Sequence, residues 1–194
     1  MSKESYYDMV GRICKKGDDI KDSLTGEKAH LWHMATGISG EVGEVVNAVS
    51  HNDLPNLIEE LGDICFYSVG FQRSTLIDET VVEKAYFDMQ AITPTSEKPL
   101  HEYVYDLVVA AANLLDAVKK LCAYNNNSSE ALNKVSVMLG EFDLACDVFC
   151  REFIPSYNLE ELRSQNQEKL TGENGRYKDG YSDEAAKKRE DKSD

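Results

Sequence analysis

The sequence predicts an all-α protein, a helical bundle built on an antiparallel helix hairpin that gathers four carboxylates. Three observations carry this. Apolar residues recur at intervals of three and four along the whole chain, the period of a helix, and no stretch alternates as a strand does. Clusters of Pro, Gly, Asn and Ser cut the chain into segments of helix length. Residues 37–67 hold Glu-x-x-Glu, fifteen residues, then Glu-x-x-Asp, two helices around a short turn.

In chain order, a first helix is expected over 3–15, with Tyr6, Met9, Val10 and Ile13 on one side. Lys16 to Gly26 reads as a loop rich in Asp, Lys, Gly and Ser. Thr25 caps a helix over about 27–50, His51 to Leu54 form the turn, and Pro55 suits the first position of the helix that follows, to about 74. After Asp63 that helix is nearly apolar all round, which predicts a central position. A helix over 78–91 ends at TPTSEKP, residues 93–99. Helices over 100–124 and 129–153 follow, split by an Asn/Ser run, with Ser128 or Ser129 as cap. Pro155 closes the second, and Asn158 with Glu161 forms a capping box for a helix over 159–170. The organisation is one domain over 1–170 and a tail over 171–194. GEVVNAVS at 43–50 resembles ANLLDAVK at 112–119, which suggests a degenerate repeat with Ala110 and Asn113 at the places of Glu41 and Glu44; any two amphipathic helices also align in this way.

The composition excludes some functions. Lys plus Arg is 21 against 35 for Asp plus Glu, a net charge of −14, so a grip on nucleic acid polymer is not expected. No apolar run is long enough for a membrane span and the N-terminal residues are polar, so a cytoplasmic location is expected. Five scattered cysteines without a Cys-x-x-Cys pair read as reduced, mostly buried thiols.

The hairpin carries the chemistry. Glu41 and Glu44 share one helix face, as do Glu60 and Asp63. Folded about the turn, Glu44 comes level with Glu60 and Glu41 with Asp63. Four converging carboxylates repel unless protons or cations intervene, and carboxylates without thiolate or imidazole suit a hard cation, Mg²⁺ or Mn²⁺. Gly37, Gly40, Gly43 and Gly62 each cost about 1 kcal/mol inside a helix, so backbone or ligand is expected close by. A solvated acidic face with glycines for helix packing has the same spacing.

HMATGISGEVGEVV followed by LIEELGDICFY resembles the MazG-type all-α nucleoside triphosphate pyrophosphohydrolases, a superfamily that includes dimeric dUTPases and phosphoribosyl-ATP pyrophosphohydrolases. Asn166-x-x-Lys169 and RYKDGYSDEAA from Arg176 resemble the C-terminal segment of small bacterial and phage relatives, with Lys178 for Pro and Tyr181 for Phe. The resemblance implies Mg²⁺-dependent hydrolysis of (deoxy)nucleoside triphosphates to monophosphate and pyrophosphate by attack at the α-phosphorus. Glu41, Glu44, Glu60 and Asp63 are then the metal ligands and catalytic groups. It implies Lys169 and Arg176, with Lys178 a further candidate, at the phosphates, Asn166 and Tyr177 as their hydrogen-bond partners, and His33 at base or sugar; Asn47, one turn after Glu44, is a lesser candidate for hydrogen bonding to the nucleotide. The remaining implications are a bacterial or phage-infected host cell and a homodimer or homotetramer. Trp32 reads as core, and Glu59, rotated from Glu60 by about 100°, as solvated or supporting. A di-iron bundle is disfavoured because only Glu27-x-x-His30 has its Glu-x-x-His form. A non-catalytic nucleotide-binding or interaction protein is the alternative.

Overall fold

The computed structural model describes residues 4–93 and 98–188, and among these every regular element is a helix. In chain order they are α1 (Tyr6–Ile13), α2 (Gly17–Ser23), α3 (Gly26–His51), α4 (Leu54–Gln72), α5 (Glu79–Ile92), α6 (Leu100–Ala123), α7 (Ser129–Phe153), α8 (Leu159–Thr171) and α9 (Asp183–Lys188). The Pro94 part of the expected break and the last charged residues lie outside the described residues.

Helices α3 and α4 form one antiparallel hairpin and α6 and α7 another; α3 packs on α6, α5 on α7, and α8 on α4. Ser68 and Gln72 of α4 donate to Asp143 of α7 at 2.7 and 2.9 Å, which closes the ring of the four long helices. Leu31, Ile38, Leu61, Leu107, Phe142 and Phe149 are fully buried within that ring. Each such side chain contributes about 1.5–3 kcal/mol of burial.

The boundaries follow from local chemistry. The Thr25 and Ser128 side chains accept from the Lys28 and Ala131 amides as N-caps, and Asn158 and Glu161 complete the capping box of α8. At the hairpin tip Asn52 takes a left-handed conformation, φ 54°, which Asn tolerates through its short polar side chain. Asp53 caps α4 by accepting from the Asn56 amide, so Pro55 is the second helical residue, one place later than expected.

Two expectations are corrected. The stretch read as a loop holds α2: Asp18 and Asp19 in its first turn favour the positive end of the helix dipole. Ser23 Oγ donates to the Ile20 and Cys122 carbonyls, which ties the turn to α6. Helix α4 is less enclosed than its composition suggested. Phe66 is 46% and Val69 36% exposed, because α3 and α8 cover its other sides and leave this strip open.

Candidate metal centre and substrate cavity

The hairpin register brings matched positions together. An added Cβ on Gly37 would lie 2.4 Å from the Tyr67 ring, and one on Gly70 would lie 2.5 Å from Met34 Sδ. These pairs share the register that sets Glu41 level with Asp63. The close approach expected at Gly37 is therefore made by Tyr67. At Gly62 it is made by α8, where a Cβ would sit 3.1 Å from that of Asn166. At Gly40 and Gly43 no atom of another part of the chain comes within 4 Å of an added Cβ, so the close approach of backbone expected there is not made.

Glu41, Glu60 and Asp63 each offer a carboxylate oxygen, and these oxygens lie within 4.8 Å of one another. Glu60 is buried and Glu41 half-buried. Glu44 is exposed and outside this group. The reason is rotational phase. Val45 lies about 40° to one side of Glu41 around α3 and Ala48 about 20° to the other, and both are buried; Glu44, about 60° round on the side of Ala48, falls on the flank. The four-carboxylate focus drawn from sequence is thus three carboxylates with a fourth beside them. Three oxygen donors from two rigid helices, without sulfur or imidazole, fit a hard divalent cation.

Helix α8 runs antiparallel to α4 and meets this cluster. Asn166 is buried, and its Nδ2 donates to Asp63 Oδ1 at 2.6 Å. Lys169 Nζ donates to the same oxygen at 2.6 Å and approaches Glu59 Oε1 at 3.4 Å. Asn166 and Lys169, expected at phosphates, therefore sit on a carboxylate of the cluster. Glu59 is a supporting group through Lys169.

A cavity of about 610 Å³ opens beside the cluster, with Glu41 and Asp63 in its wall. His33 and Tyr67 form another part, ring edge to ring face at 6.0 Å. Arg176, Tyr177 and Tyr181 come from the tail. The Tyr177 amide donates to the Leu170 carbonyl at 2.7 Å, which folds the tail back over the end of α8. Arg176 lies over the Tyr177 ring, 5.7 Å from its centroid. Asn47 is exposed near the tip, where its carbonyl accepts from Ser50 and His51, and it does not line the cavity. Lys178 is exposed and also outside the lining. Trp32 packs half-buried against the core.

Sequence reasoning passed over Tyr67, Phe66 and His30, which also line the cavity. Tyr67 carried a signal: it lies one turn after Asp63, on the same face. Glu27 and His30 are occupied elsewhere. Glu27 accepts from Ser74 Oγ and the Thr75 amide, and His30 Nε2 donates to the Gly70 carbonyl at 2.8 Å.

Among the described residues no helix is long and apolar enough to cross a membrane. No curated protein and no solved structure matches the chain. Residues 31–95 match the family described as the MazG nucleotide pyrophosphohydrolase domain, and that segment, MazG-like by this match, contains the cluster of Glu41, Glu60 and Asp63.

Proposed function

We propose that the chain hydrolyses (deoxy)nucleoside triphosphates to a monophosphate and pyrophosphate, with Mg²⁺ held by Glu41, Glu60 and Asp63 and Mn²⁺ as a substitute. The observation that carries this reading is the convergence of three carboxylates at a cavity of nucleotide size with cationic and aromatic walls. Bound Mg²⁺ supplies charge neutralisation to the polyphosphate and activation of the attacking water.

The chain's own residues do the rest. Glu44, exposed one turn toward the tip, serves as the fourth carboxylate by rotation of its side chain. One carboxylate of the Glu41/Glu44 pair takes the proton from the attacking water. Asn166 holds Asp63 in orientation. Lys169 and Arg176 offset phosphate charge, and the Tyr177 hydroxyl donates to a phosphate oxygen. Tyr67 and His33 offer ring surfaces to the base. Assembly into a homodimer or homotetramer belongs to the same reading, supported by Tyr105, Val108 and Val109, exposed on one face of α6.

The test is product analysis on a panel of ribo- and deoxynucleoside triphosphates with Mg²⁺ or Mn²⁺, for the wild type and for Glu44→Ala, Glu60→Ala and Asp63→Ala. Monophosphate and pyrophosphate in equal amounts from the wild type, lost in Glu60→Ala and Asp63→Ala, are expected. Undiminished monophosphate in those two variants removes the cluster from catalysis. No turnover of any nucleotide favours a nucleotide-binding or interaction protein.

A further inference from the structure

A second cavity, of about 330 Å³, lies on another side of α4, walled by α4, α5, α7 and α8. Ser68, which lines it, is about 140° around the helix from Asp63, so the two cavities use different faces of α4. Its walls are largely apolar, from Ile64, Val82, Phe87 and Phe142. The carboxylate of Asp143 stands among them. Neutral groups hold it: Ser68 Oγ donates to Oδ1 and Gln72 Nε2 to Oδ2. Each carboxylate oxygen can accept a second hydrogen bond. The fork is therefore fixed in place with acceptor capacity left over.

We propose that this cavity binds a small flat aromatic cation, an amidine or a protonated amino-heteroaromatic, with its N–H groups on Asp143 and its ring between the apolar walls. A bare inorganic cation gains nothing from the walls, and a neutral apolar ring leaves the carboxylate uncompensated. A ring that carries the charge meets both, and Phe87 and Phe142 add faces on which a cation is attracted. Ionising a carboxyl in this setting is costly: burial pushes Asp143 up to about 6, so a cation beside it relieves a cost already present. Arg163 of α8, exposed at the edge of the cavity, offsets part of that cost by its charge, and Glu83 of α5, also exposed, completes this side of the lining.

The experiment is an amide-resolved NMR titration of the full chain with benzamidine, and with benzoate and benzyl alcohol as anionic and neutral counterparts. Benzamidine is expected to shift the amides of Ser68, Gln72, Val82 and Asp143 with millimolar or tighter affinity. Both counterparts are expected to bind at least about tenfold more weakly, and Asp143→Asn to lose a similar factor for benzamidine, a difference of about 1.4 kcal/mol. Phe87→Ala removes an exposed side chain, leaves the fold in place, and is expected to weaken benzamidine several-fold. Equal affinity for benzoate, shifts confined to the surroundings of Glu41 and Asp63, absence of binding, or insensitivity to both substitutions overturns the proposal.

Discussion

The Asn166 side chain reaches Asp63 across 103 residues of chain, its amide nitrogen 2.6 Å from Asp63 Oδ1. Lys169, one turn later on α8, meets the same oxygen. A carboxylate on α4 is thus oriented by a helix that the MazG-like segment does not include. The arrangement makes α8 a positioning element for the cluster.

Asn166→Ala is expected to lower kcat by about 10–100-fold, the usual cost of losing a group that orients a metal ligand. Stability should fall by about 1–2 kcal/mol, the range for a buried hydrogen bond lost. Asn166→Asp should be worse, since it adds a like charge beside Asp63. Steady-state kinetics and denaturant unfolding on the same preparations check both.

Glu60→Gln removes one charge from three crowded carboxylates. Without divalent cation the variant should melt higher than the wild type, by an amount equivalent to about 1 kcal/mol or more at an effective dielectric near 20. With Mg²⁺ the order should reverse, because the wild type gains binding free energy in the folded state and the variant does not. Thermal melts with and without Mg²⁺ measure the crossing.

Gly37→Ala places a methyl group against the Tyr67 ring. The gain in helix propensity is about 1 kcal/mol, and forced repacking costs about 1–3 kcal/mol, so net destabilisation is expected. Combining it with Tyr67→Leu should recover the loss of Gly37→Ala. A double-mutant cycle by chemical denaturation reads the coupling directly.

Gly40→Ala has open space around it and sits inside α3. It should stabilise the fold by about 0.8–1 kcal/mol. The denaturant midpoint checks this, and a loss of stability would place unseen bulk against that turn of the helix.

Asp143 gives a pH signature. Its folded pKa is raised to about 6 from 3.8, chiefly by burial, with the Ser68 and Gln72 hydrogen bonds opposing. A raised folded value means that the stabilising contribution is complete below pH 3.8 and is lost as pH climbs through about 6. Asp143→Asn should therefore be more stable than the wild type above pH 6, by about 1–3 kcal/mol. The advantage should shrink as pH falls toward 4. Unfolding curves at a series of pH values test the sign.

Local patterns in the sequence determined the helices and their ends. The period of three and four, Thr25, Ser128 and the Asn158–Glu161 box act within a few residues, so their effect is readable without the rest of the chain. The register of the α3–α4 hairpin was readable for the same reason, because a short turn leaves few ways to pair two helices. Helix α2 escaped because its polar composition resembles a loop, and its tie to Cys122 is nearly a hundred residues away. Only the tertiary structure decided that Glu44 falls outside the cluster, since that depends on how far α3 is rotated about its own axis against α4. It alone decided that Asn166 and Lys169 hold Asp63, and that Asp143 stands in a second cavity. These relationships arise where helices distant in sequence dock, and burial of their apolar faces, not local propensity, sets that docking.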